Sequence, residues 1–103
     1  DEADSGIGGK AALAVAQRLS KLSKNTQVIV ISHLAQVAAF ADNHLKISKT
    51  VNETYVESDI TQLDENNRVE EISRMFSGLT ESGTGKEHAI ELLTLANNYK
   101  NSL

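Results

Sequence analysis

Cysteine is missing from the chain, so neither a disulfide nor a thiolate metal site is available. Proline is missing too, and no internal repeat or low-complexity tract is visible. The aromatics are only Phe40, Tyr55, Phe76 and Tyr99, too few for a platform on which single-stranded bases could stack. Excess positive charge is also lacking. The formal net charge of −4 excludes a generally basic nucleic-acid-binding surface, although local patches in a larger parent stay open. No apolar run approaches the roughly 18–20 residues that span a bilayer, and no secretory leader is visible. The expectation is a cytoplasmic chain with no membrane partner. With 103 residues, 40% of them hydrophobic, it can form one domain but hardly two.

What is present starts at once. Asp1-Glu2-Ala3-Asp4-Ser5-Gly6-Ile7-Gly8-Gly9 sets two adjacent carboxylates before a glycine-rich turn. Hard carboxylate oxygens suit Mg²⁺, and a neighbouring carboxylate aimed at a different atom can accept a proton from an attacking water. The glycines let backbone N–H groups approach an anion, and the helix that follows adds a favourable dipole. The same pair is also what an acidic terminal tail looks like, and taken alone it favours the tail. A chain that opens on Asp-Glu with no strand before it reads as part of something larger.

From Lys10 to about Lys24, Ala12, Val15, Ala16, Leu19 and Leu22 fall at helical spacing, with Lys21 and Lys24 in the last turn. Val28-Ile29-Val30-Ile31 follows as an uninterrupted β-branched run, the pattern of a strand buried on both faces in a parallel sheet. Helix, buried strand and helix imply a further strand before Asp1. In open α/β sheets ligands gather beyond the carboxyl ends of the strands. Asp1-Glu2 and Ser32-His33 would therefore lie side by side, and this coincidence lifts the site above the idle tail. His33, at a strand-to-helix junction, could hydrogen-bond a terminal phosphate oxygen. His44 and His88 lack such a setting and read as structural or surface residues.

A short helix is expected over Leu34 to Ala41. Leu45 and Ile47, then Val56, Ser58 and Ile60, alternate as two strands joined around Val51-Asn52-Glu53, an antiparallel hairpin at a sheet edge. Lys46 and Lys49 are read as its solvent side. Asp64 to Asn67 is a polar break and helix start. Val69, Ile72, Met75 and Phe76 then recur as core, Glu70 and Arg74 stand at i,i+4, and Gly78 closes the helix. Gly85-Lys86 resembles a fragment of the loop G-x-x-x-x-G-K-[ST], but Thr80 replaces its first glycine, Glu87 follows the lysine, and no buried strand precedes it. Thr80 to Glu87 is read as a flexible linker before a last helix from Glu87 to about Tyr99, with Ala89, Leu92, Leu93 and Ala96 on one face.

Asp1-Glu2, the Ser5-Gly6-Ile7-Gly8 turn and Ser32-His33-Leu34-Ala35-Gln36-Val37-Ala38 together resemble the C-terminal part of an ABC-type ATPase head. More narrowly, with Thr26-Gln27-Val28, Ile47-Ser48-Lys49 and the Arg68 to Gly78 helix, the chain is similar to the RecN-like, SMC-related ATPases of bacterial double-strand-break repair. The resemblance extends over most of the chain. It implies an α/β fold over residues 1–103: a partial ATPase head with a parallel-sheet strand and flanking helices, an edge β-hairpin and two C-terminal helices. It also implies roles by position. Asp1 helps hold the Mg²⁺ of ATP, Glu2 polarises the attacking water, and His33 contacts the γ-phosphate. Ser5, Gly6, Ile7 and Gly8 form a D-loop reaching the other nucleotide of a head-to-head homodimer. The phosphate-binding loop, signature motif and coiled coil are expected upstream, and the fragment alone is expected to be inactive. DNA is the implied partner through the full-length protein, which places it at the nucleoid. The chain departs from the family's pattern at Gly8, where many D-loops carry aspartate, and at Ala35, where proline is common.

Two other readings stand beside this one. The chain could be a non-catalytic α/β module that grips a partner protein through its sheet edge or last helix, or the head of a different SMC-like ATPase.

Overall fold

Small side chains decide how the helices meet. In the computed structural model, which describes residues 9–77 and 83–103, the first helix, α1 (Gly9–Leu22), follows the expected span closely. Its buried stripe, however, is Ala12, Ala16 and Ser20, while Val15 and Leu22 are exposed. The i,i+4,i+8 row of small residues lets α1 lie close to its neighbours and turns the two larger side chains outward. The expected apolar face is thus correct in kind but rotated.

Residues 27–34 run on without regular structure, and Val28–Ile31 is not a strand. Ile29 is 84% and Ile31 89% exposed, the opposite of the burial expected. A strand exists only where a neighbour completes its hydrogen bonds, and no described segment lies alongside to do so. Among the described residues, this is the expected helix or strand that does not form.

The short helix α2 (Ala35–Ala39) follows, within the expected Leu34–Ala41 stretch, and buries Ala35 and Ala39 with Phe40 behind them. Strands β1 (Leu45–Val51) and β2 (Val56–Gln62) form the expected antiparallel hairpin, with Ile47 opposite Ile60 and Val51 opposite Val56. Its turn closes by an Asn52 N–H donated to the Tyr55 carbonyl at 2.8 Å and a Glu53 N–H donated to Asn52 Oδ1 at 3.1 Å. Cross-strand partners share a face, so Leu45, Ile47, Val51, Val56 and Ile60 line one side and all are exposed. The lysines do not mark one solvent side. Three residues apart, they sit on opposite faces. Lys46 is the half-buried residue of the two strands, and its Nζ lies 3.5 Å from Glu71.

Helix α3 (Glu65–Ser77) starts where the polar break suggests, because Asp64 Oδ1 accepts the Asn67 N–H at 2.8 Å and caps the first turn. Helix α4 (Gly83–Asn101) begins earlier than expected, so 83–87 is helical and not a linker, while the rest of the expected linker and the expected stop at Gly78 lie outside the described residues. Lys86 lies 3.8 Å from Glu70 on α3, an exposed pair that adds little to the helix start. Neither reading makes it a phosphate loop. The expected Glu70–Arg74 pair is replaced by Glu71–Arg74 at i,i+3, with Arg74 Nε 2.8 Å from Glu71 Oε1. The reason is that Glu70 faces α4, whereas Glu71 turns toward Lys46.

The core lies where α1, α2, α3 and α4 converge: Ala16, Ala35, Ala39, Phe40, Ile72, Ala89 and Ala96. Val69, Met75, Leu92, Leu93 and Tyr99 pack around it, and Phe40 meets Tyr99 edge-to-face at 5.9 Å. Phe76 is only partly covered and stands edge-on to His88, 6.0 Å between ring centres. Met75 is therefore a core residue as expected, Phe76 lies at its margin, and His88 is structural.

Candidate functional site

The expected site residues fall in two groups. Asp1, Glu2, Ser5, Gly6, Ile7 and Gly8 lie outside the described residues. His33 is described, exposed, and two residues ahead of α2. Ser32 Oγ accepts the Leu34 N–H at 3.0 Å, a local turn that redirects the chain into the helix at extended Leu34 (φ −93°, ψ 125°). Among the described residues no group of three or more histidines and carboxylates could hold a metal ion.

Behind His33 the structure builds something that spacing alone did not announce. The carbonyls at the end of α2 converge on two cations from other helices. Arg68 on α3 donates from Nη2 to Ala41 O at 2.9 Å, Ala38 O at 3.1 Å and Ala39 O at 3.2 Å. Lys100 on α4 donates to the same Ala41 carbonyl at 3.3 Å and pairs with Asp42 at 3.1 Å. The last carbonyls of any helix lack partners within it, and positive charge there also suits the dipole. Arg68 is only 8% exposed. Burial draws its guanidinium below the ordinary value, and Glu65 and Asp42 oppose that shift. It stays a cation, since arginine does not deprotonate in proteins. The available signal was an arginine in register with the apolar row, four residues before Ile72 and seven before Met75.

Next to this clamp, His44 leaves α2 for the hairpin and gives its carbonyl to the Leu63 N–H at 2.9 Å. Burial pushes its imidazole pKa down, Arg68 pushes the same way, and Glu71 pulls it up. Its Nδ1 is buried with no hydrogen-bond partner among the described residues. Glu71 is held below the usual carboxylate range, first by its hydrogen bond from Arg74, with further help from Lys46. His44 is therefore structural, as expected, and sits in a charged cluster that ties the base of the hairpin to α3.

No protein-family model matches the chain. Among individual relatives, it is similar to the DNA repair protein RecN of Deinococcus radiodurans, 50% identical over 93 residues, 90% of this chain and 16% of that protein. The RecN of Streptomyces coelicolor is 46% identical over 96 residues, 93% of this chain and 17% of its own length. That of Bacillus subtilis is 40% identical over 100 residues, 97% of this chain and 17% of its own. The chain spans about a sixth of the length of the curated relatives it matches. With such identity along nearly its whole length, the chain belongs to the RecN family as a C-terminal segment.

Proposed function

We propose that this segment is the C-terminal portion of the ATPase head of a RecN-type DNA repair protein, where it contributes the water-activating side of a Mg-ATP site. The reading is carried by the Asp-Glu pair followed, at this distance, by Ser32-His33 at the entrance to α2, within a chain 40–50% identical to RecN proteins. The donor chemistry fits the group. Asp1 offers hard oxygen to Mg²⁺, Glu2 offers a second carboxylate for proton transfer, and the exposed imidazole of His33 offers a hydrogen bond to an anion. When bound, Mg-ATP supplies the γ-phosphoryl group and the cation that neutralises its charge.

In this reading Asp1 holds the cation, Glu2 orients the attacking water and takes its proton, and His33 donates to the γ-phosphate oxygen on which charge builds up. Ser5, Gly6, Ile7 and Gly8 reach across a head-to-head dimer toward the second nucleotide. Closing and reopening of the heads would couple to DNA held by the full-length protein, in the nucleoid-containing cytoplasm. Changing Glu2→Gln in the full-length protein should leave ATP binding intact and slow hydrolysis by about 10²–10⁴-fold, the usual worth of a general base. Hydrolysis near the wild-type rate would remove Glu2 from that role.

The exposed apolar face of the hairpin favours a second reading, a protein-interaction module without its own catalysis. Absence of ATP hydrolysis by the wild-type full-length protein, with and without DNA, would move the assignment there.

A further inference from the structure

We propose that Arg68, assisted by Lys100, is a positioning residue that fixes α2 and through it the Ser32-His33 turn. The inference rests on the reading of His33 as a phosphate contact.

Helix α2 has five residues. A helix that short does not hold itself, because nucleation costs more than so few hydrogen bonds return. Its buried side chains are two alanines and the adjoining Phe40, a modest anchor. Three carbonyls at its end are instead gripped by the Arg68 guanidinium, from a residue 27 to 30 positions away in the sequence. Lys100 adds a second cationic donor to Ala41 from 59 positions away. Burying a guanidinium against neutral carbonyls is a costly way to gain stability, and a well-packed apolar side chain of similar volume would do as well or better. What the arginine gives is geometry. Its donors fix the end of α2 along and around its own axis, which apolar contact does not.

The other end of α2 is Leu34, next to His33. There the Ser32 Oγ contact sets the turn, so the imidazole is carried on a helix whose far end is pinned to both α3 and α4. A shift of α3 against α4 would move His33 without any side chain of those helices entering the site. Misplacement of a reacting or stabilising group by about 1 Å can cost about 10²-fold in rate. The clamp is therefore where the C-terminal helices act on hydrolysis.

The test uses the full-length protein with Arg68→Met, His33→Ala and the double variant. Arg68→Met should lower kcat for ATP about tenfold while KM stays within about twofold, the pattern of a lost transition-state interaction. With His33→Ala already in place, the same change should cost nothing further, since both act through one group. Backbone amides of residues 32–39 should exchange about tenfold faster in Arg68→Met, reporting local opening of α2. An undiminished loss of kcat in the His33→Ala background, or unchanged exchange over 32–39, overturns the positioning role. If His33→Ala itself leaves kcat untouched, the reading of His33 fails and exchange alone decides whether the clamp holds α2. Should Arg68→Met fail to fold, Lys100→Met removes the partly exposed second donor to Ala41. It should show the same exchange pattern over 32–39, about threefold in size, and no change there counts against the proposal.

Discussion

Replacing Ile72 by alanine removes the one large side chain that is fully buried among the described residues, at 0% exposure. Three carbon atoms leave the core, and at about 0.8 kcal/mol each their transfer alone is worth about 2.4 kcal/mol. The cavity adds to this, because the buried residues around it are mostly Ala16, Ala35, Ala39, Ala89 and Ala96. Alanine has no rotamer with which to fill a void, so relaxation is left to partly buried side chains such as Met75, Leu92 and Leu93 or to shifts of whole helices. The expected cost of Ile72→Ala is therefore about 3–4 kcal/mol, within the upper part of the usual range for such a change. Ile72→Val, which removes one carbon, should cost about 1 kcal/mol. Urea unfolding of the 103-residue chain followed by far-ultraviolet circular dichroism gives both values from the midpoints, provided the slope is unchanged. Set against a total of about 5–15 kcal/mol for an ordinary domain, the alanine variant should be conspicuously weakened. A cost of no more than about 1 kcal/mol for Ile72→Ala would show that the helices collapse freely onto the site, and the close-packed alanine core would be refuted.

Two further perturbations probe the ends of the same helices. His44 has a folded-state pKa below its ordinary 6.5, so between those two values the unfolded chain binds more protons. Its contribution is complete above pH 6.5 and is lost as pH falls through the folded value. His44→Gln should flatten the decline of stability in mildly acidic solution, and an unchanged slope would exclude His44 as its source. Asp64→Ala removes the side-chain acceptor for Asn67 N–H and should cost about 1 kcal/mol in the same urea assay, with Asp64→Asn close to wild type; equal losses in both variants would exclude capping as the cause.

Much of this architecture is legible in the residues because local rules act alone there. The polar break at Asp64 is a cap, and the alternation through Leu45, Ile47, Val56 and Ile60 is a hairpin. What failed did so where the deciding partner is remote in sequence. Val28-Ile29-Val30-Ile31 has the composition of a buried strand, but pairing requires a neighbour, and composition cannot provide one. The choice of Glu71 over Glu70 as the partner of Arg74 depends on Lys46 from the hairpin and Lys86 from α4. Near the candidate site, the position of His33 just ahead of a helix was legible from the Leu34 to Ala41 pattern. The Arg68 clamp was not, because its acceptors are backbone carbonyls, which leave no trace in side-chain spacing.

The β1–β2 hairpin is anchored at one end only. Leu63 N–H to His44 O, Gln62 to Asn43 and Lys46 to Glu71 all lie at its base. Neither strand packs its backbone against a described helix. Seven residues of strand at about 3.4 Å each put the Asn52–Tyr55 tip about 24 Å beyond that base. In mechanical terms this is a cantilever. A load applied at the tip acts on the root with a long moment arm, and the root is the His44–Glu71 cluster one turn along α3 from Arg68. Whatever pushes on the far end of the ribbon is geared down, displacement exchanged for force, where the ribbon meets the helices.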